Sequence, residues 1–134
     1  MRPSLMTDRA YEAGLAVSFE ASHVMEGMEG PEGVLHSHDY RVEAVVGRAE
    51  LDDDGMVCDL DILAAALDRL RGELEGQNLE VIRPPERESV TVEVFAGWAH
   101  RFLSAALADT GVEWMRVRVW ESDVAFGGYA GPVG

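Results

Sequence analysis

Lysine is absent from this chain of 134 residues, and cysteine occurs once, as Cys58. A single thiol excludes an intrachain disulfide, and a cytoplasmic location is the default expectation. All 11 basic residues are arginines, set against 25 acidic ones, for a formal net charge of −14. Such a surface repels nucleic acid and anionic membranes, so neither is expected as a partner. It also offers no general help in holding a phosphorylated ligand. No apolar run approaches the length of a membrane span. The opening residues, MRPSLMTDRA, lack the apolar segment of a signal peptide. Internal repeats and low-complexity segments are missing too.

What remains is an ordinary globular composition, 47% hydrophobic. One domain over residues 1–134 is expected, with 1–12 as a loose arm because that stretch carries no period. Four histidines occur, and three of them fall between Phe19 and Tyr40. His36 and His38 are two residues apart, which puts both side chains on one face of a strand. His23 closes a second alternating run, Leu15, Val17, Phe19, Ala21, His23. A histidine pair at that spacing is common without any metal. Three imidazoles on two neighbouring strands make a three-point site for a divalent ion. With a fourth position open, that is a catalytic zinc arrangement rather than a closed structural one.

The remaining chain alternates between two periods. Residues 13–23 and 35–51 read as strands, separated by a glycine-rich loop over 24–33. In the second strand His36, His38, Tyr40, Val42, Ala44 and Val46 share a face, while Ser37, Asp39, Arg41 and Glu43 share the other. Asp52 to Gly55 reads as a turn and lacks the spacing of a calcium loop. Asp59 is a suitable cap for a helix carrying Leu60, Leu63, Ala64, Leu67, Leu70 and Leu74. Cys58 reads as a small buried apolar residue with nothing nearby to activate its thiolate. Ser89 is a candidate cap for a second helix, whose stripe is Val92, Phe95, Trp98, Ala99, Phe102, Ala106 and Leu107. His100 falls outside that stripe and reads as a surface residue. Residues 114–121 alternate again and place Glu121 in register with Met115, Val117 and Val119. A carboxylate on an apolar face needs a partner, so Glu121 either reaches water or faces a pocket. Residues 125–129 are a candidate last strand, weakened by Gly127 and Gly128. The expected class is α+β: an antiparallel four-stranded sheet with two helices on one face.

That order, with these residues, resembles the 6-pyruvoyl-tetrahydropterin synthase / 6-carboxy-tetrahydropterin synthase family. Phe19-x-Ala21-Ser22-His23 is similar to the family's first zinc histidine, and His36-Ser37-His38-x-Tyr40 to its His-Gly-His pair, with serine for glycine. Gly55-Met56-Val57-x-Asp59-Leu60 resembles the segment entering its first helix. Thr91-x-Glu93, followed by Phe95-Ala96, resembles the opening of its second. Trp120-Glu121-Ser122 resembles the strand end whose glutamate grips the pterin ring. The resemblance spans about residues 15 to 129.

It implies a tunnelling fold, in which trimers join their strands into a barrel and two trimers stack into a hexamer, with active sites between subunits. It implies a zinc ion on His23, His36 and His38 that binds the side-chain hydroxyls of 7,8-dihydroneopterin triphosphate. Glu121 would accept hydrogen bonds from the ring, with Thr91 a second substrate-binding position. The departures are as informative. The family's proton-moving cysteine, four residues before the histidine pair, is Glu32 here. Its Leu-Asp-His-x-x-Leu stretch is Leu74-Glu75-Gly76-Gln77-Asn78-Leu79, which loses the histidine and leaves Glu75 for the aspartate. The asparagine after Thr91-x-Glu93 is Val94. A family branch with glutamate at the cysteine position cleaves the side chain to 6-hydroxymethyl-dihydropterin. Glu32 is therefore the candidate base, provided enclosure raises its pKa, and Glu75 is a second candidate. Glu32 also lies in a loop with Glu26 and Glu29, where a plain surface charge is an equal alternative. The leading expectation is a zinc-dependent pterin lyase. The alternative is a catalytically idle protein that binds a pterin or purine-like ring. Zinc-dependent deamination of another heterocycle is disfavoured, because no Cys-x-x-Cys accompanies the histidines.

Overall fold

The strongest alternation in the sequence becomes the second of four strands in a single antiparallel sheet. The computed structural model describes residues 10–24 and 29–134, with the side chains of Pro31 and Glu32 outside the described set. Strands β1 (Tyr11–His23), β2 (His36–Arg48), β3 (Trp114–Trp120) and β4 (Phe126–Pro132) lie side by side in chain order. Helices α1 (Leu60–Leu74) and α2 (Val92–Leu107) occupy the connection between β2 and β3. Helix α1 packs on β1, and α2 packs on β3 and β4. The α+β expectation holds. No helix among the described residues is long and apolar enough to cross a membrane.

The β1–β2 ladder runs from Tyr11 opposite Arg48 to His23 opposite His36. Strand β1 therefore starts inside the stretch expected as a loose arm, and Tyr11 and Glu12 belong to the sheet. Residues 1–9 lie outside the described residues. Strand β2 stops at Arg48, short of the expected 51, because the Ala49 N–H donates to the Glu113 carboxylate at 2.7 Å. The aspartate turn follows. Asp52 Oδ1 accepts from the N–H groups of Asp54 and Met56, both at 2.9 Å, so that carboxylate closes the turn.

Asp59 caps α1 as expected, accepting the Asp61 N–H at 2.9 Å. Leu63, Leu67, Leu70 and Leu74 are fully buried against the sheet. Each such side chain contributes about 2 kcal/mol of burial free energy. Cys58 lies buried at the entry to α1. Its thiol pKa is raised first by burial and then by Asp59 and Asp52, which leaves it a poor nucleophile.

Helix α2 departs from the sequence reading in two ways. Its cap is Thr91 rather than Ser89: Thr91 Oγ1 accepts the Val94 N–H at 3.1 Å. Its buried stripe is Phe95, Ala96, Ala99, His100, Leu103 and Leu107. Val92, Trp98, Phe102 and Ala106 flank that stripe, partly buried. The helix is apolar around more than half its circumference, and the sheet selects which side turns inward.

His100 is therefore buried, contrary to expectation. Its Nε2 lies 3.3 Å from the Gly131 carbonyl, its Nδ1 lies 3.4 Å from Ser104 Oγ, and its ring meets Tyr129 edge-on at 4.8 Å. The ring thus ties α2 to β4. Burial lowers its pKa from the ordinary 6.5, and hydrogen bonds to backbone at Gly131 and Met115 oppose this only in part. The folded state then binds the proton less readily than the unfolded chain. The stability that neutral His100 contributes is intact above pH 6.5 and declines as pH falls from there to the depressed folded value. Urea midpoints measured from pH 7.5 to 5 are expected to fall more steeply for the native protein than for His100→Gln.

Candidate metal centre and its cleft

The β1–β2 register sets the site. His23 stands directly opposite His36, and His38 stands opposite Ala21. All three side chains project from the sheet face that carries Phe19, Tyr40 and Val42. Their ring centroids are 4.8 Å (His23–His36), 4.8 Å (His36–His38) and 5.9 Å (His23–His38) apart. One ring nitrogen from each lies within 4.8 Å of the other two. Below them, Tyr40 is buried edge-on to His38, with centroids 5.5 Å apart, and Phe95 packs on Tyr40 at 5.5 Å. The triad thus rests on a stiff aromatic floor.

The donor set fits a divalent cation. A carbonyl oxygen can only accept, so His36 Nδ1–H donates to Val34 O at 2.8 Å and the lone pair sits on Nε2. That outer hydrogen bond is the usual way a ligating imidazole is oriented. His38 Nε2 is shielded from solvent and has no hydrogen-bond partner among the described residues. A tetrahedral zinc ion with bonds of about 2.0–2.1 Å holds its nitrogens about 3.4 Å apart. Small side-chain rotations cover the difference from the observed spread.

Next to the triad a cleft of about 640 Å³ is lined by both His38 and Glu121. Glu121 follows Trp120, the last residue of β3, and its N–H donates to Ala125 O at 3.1 Å, which opens the turn into β4. Glu121 is half-buried rather than sunk in the core. The cleft wraps the sheet end and so also takes residues from the opposite face, Ser18, Ser37, Asp39 and Arg41. Sequence alternation separates these from the histidines and gives no signal that one cleft joins both sets.

The other candidates sit elsewhere. Thr91 caps α2 and lines a separate cleft beside Arg101 and Tyr129. Glu75 is exposed at the C-terminus of α1. The residues after it bring that corner close to His23: Gly76 N–H donates to Glu20 O at 2.8 Å, and Ser22 N–H donates to Gln77 O at 2.9 Å. The Glu32 backbone belongs to the short 3-10 turn Gly30–Gly33, and its side chain lies outside the described set.

Comparison with known proteins gives a consistent result. The family model described as 6-pyruvoyl tetrahydropterin synthase matches residues 15–132. Curated protein sequences give no match. Among solved structures, the fold is similar to that of 6-pyruvoyl tetrahydropterin synthase from Plasmodium falciparum. The TM-score there is 0.72 at 17% identity, covering 91% of this chain and 99% of that one. The Caenorhabditis elegans enzyme aligns with a TM-score of 0.68 at 19% identity, covering 90% and 95%. A Plasmodium vivax variant, in which alanine replaces a glutamate described as a catalytic residue, gives 0.70 at 19% identity, covering 92% and 99%. At these identities the structural likeness is one of fold.

Proposed function

This chain belongs to the 6-pyruvoyl tetrahydropterin synthase family, and from that premise we propose that it is a zinc-dependent lyase acting on the side chain of a 7,8-dihydroneopterin substrate. Family membership supports a tetrahydropterin synthase-type role. The observation that carries the finer reading is the convergence of three imidazole nitrogens within 4.8 Å, beside a cleft that also holds Glu121. His23, His36 and His38 hold the metal. When bound, the ion supplies Lewis acidity toward side-chain oxygens. Glu121 offers two acceptor oxygens to two parallel N–H donors of the ring, which fixes the ring's orientation. Glu32 moves the proton. A glutamate described as catalytic in the Plasmodium vivax relative supports a carboxylate in that role, and 6-hydroxymethyl-dihydropterin is the product this reading favours. Glu75 is the second carboxylate within reach of the β1 end. Thr91 lines a different cleft of its own chain, so its part in ring binding requires a site shared between subunits of a homo-oligomer, a trimer or hexamer.

Metal analysis of the purified protein, followed by mass spectrometry of products from dihydroneopterin and its triphosphate, tests this. Glu32→Gln is expected to cut turnover by about 10²–10⁴-fold, the usual worth of a general base, with metal content unchanged. Full activity in that variant removes Glu32 from the mechanism. Tight pterin binding with no product from the native protein favours a binding role instead.

A further inference from the structure

Strand β3 pairs with β2 only from Arg41 onward. The last five residue pairs of the β1–β2 ladder, Phe19–Tyr40 through His23–His36, therefore run past β3 as a two-stranded ribbon. All three histidines of the site lie on that ribbon. A ribbon of two strands is marginal in water unless something packs against it. Phe95 supports its inner end, with ring centroids 6.3 Å from Phe19 and 5.5 Å from Tyr40. Its outer end is gripped along the free margin of β1. Gly76 N–H donates to Glu20 O at 2.8 Å, Ser22 N–H donates to Gln77 O at 2.9 Å, and Asn78 forms a parallel bridge with Ser22. Resting on the metal site proposed above, we infer that the Gly76–Asn78 loop is a clamp that holds His23 in place for the metal, with Gly76 as the positioning residue.

The loop can do this because it is itself fixed. Leu74 before it and Leu79 after it are buried in the core. Gln77 N–H donates to Leu74 O at 2.9 Å, and Asn78 Oδ1 accepts the Glu80 N–H at 3.0 Å. Glu75 N–H closes α1 onto Arg71 O at 2.8 Å, and at Gly76 the chain turns with φ +75°, so that the next N–H reaches Glu20 instead of the helix. A Cβ at Gly76 would meet nothing within 4 Å, so glycine serves the direction of the backbone there and not its space. A ligand strand held before the metal arrives loses less freedom on binding it, which raises affinity.

Two substitutions separate the clamp from plain stability. Gly76→Pro breaks it, because proline lacks the N–H and cannot take a positive φ. The preceding Glu75, at ψ 125°, already suits a following proline. Gly76→Asn keeps the N–H and tolerates the left-handed region. Zinc affinity, measured on the purified protein by chelator competition, is expected to fall about tenfold or more in Gly76→Pro, as it does when a ligand's outer hydrogen bond is lost. It is expected to stay native in Gly76→Asn. It should also stay native in Gly127→Ala, which crowds β4 against α2 and lowers stability there. Coupling is reciprocal, so zinc added to the native protein should slow hydrogen exchange at the Gly76 and Ser22 amides by about the same factor. That measurement decides the matter if Gly76→Pro does not fold. Native affinity in Gly76→Pro, an equal loss in Gly76→Asn or Gly127→Ala, or exchange that zinc leaves unchanged overturns the clamp and leaves the metal site standing. A native protein that binds no zinc overturns both.

Discussion

His38→Ala is expected to strip the protein of zinc and to lower turnover by several orders of magnitude while leaving the fold intact. Two imidazoles on facing strands remain in that variant, His23 opposite His36. They cannot complete the three-ligand set that a catalytic zinc site needs. The cut is clean because of where His38 lies. Its neighbour across the ladder is the small buried Ala21, and the large core side chains start one step further along, at Tyr40. Removing the ring takes an edge-on contact from Tyr40, and His38 itself is only partly buried. Plasma emission spectrometry should show metal falling from about one ion per chain to background. The circular dichroism spectrum should stay native. A variant that keeps both its metal and its rate would show that the triad is not the metal centre.

The second large effect concerns Gly127, where β4 passes under the start of α2. A Cβ built there would stand 2.6 Å from Val92 Cγ2, 2.9 Å from the Glu93 nitrogen and 3.0 Å from the Val92 carbonyl carbon. Two of those neighbours are backbone atoms of a helix held by its Thr91 cap, so they cannot rotate aside. Gly127→Ala is expected to destabilise the protein by about 2 kcal/mol, as overpacking of a tight contact does. Gly72, exposed in α1, makes the matched control, because a Cβ there meets nothing within 4 Å. Gly72→Ala should stabilise by about 0.5–1 kcal/mol, since alanine loses less backbone freedom in a helix than glycine does. Urea titration of the two variants should move the midpoint in opposite directions. Equal midpoints for Gly127→Ala and the native protein would contradict the close approach of α2 to β4.

This glycine shows where sequence reading stops. Inside a strand pattern Gly127 and Gly128 argue against a strand, yet β4 forms there, because the helix overhead leaves no room for a side chain. The cause lies 35 residues away in α2, measured from Val92 to Gly127, and no local pattern contains it. The histidines were legible for the opposite reason. Strand alternation is local, and the chain itself carries the in-phase runs that bring His23 opposite His36. Helix α2 falls between these cases. Its length was readable, but a sequence as apolar as Val92 to Leu107 admits more than one inward face. His100 read as a surface residue because it fell outside the expected stripe, and it is tolerated inside because Gly131 and Ser104 supply polar neighbours. Of the cleft, Glu121 was visible as a carboxylate in register with an apolar face. Asp39 and Arg41 were hidden by lying on the far side of the same strand.

The loop after α1 has a bearing on assembly. By bonding to Glu20 and Ser22 it occupies the outer margin of β1 over its last residues. Even-numbered positions are the ones that turn their backbone groups outward there, so Ser18, Ala16, Gly14 and Glu12 are the places on that margin that no other described residue pairs with. Any strand contributed by another molecule must dock along this first half and halt before Glu20, where it would collide with Gly76 and Gln77. To such a strand the loop would be an end-stop, setting its register and keeping it from sliding across the mouth of the histidine site.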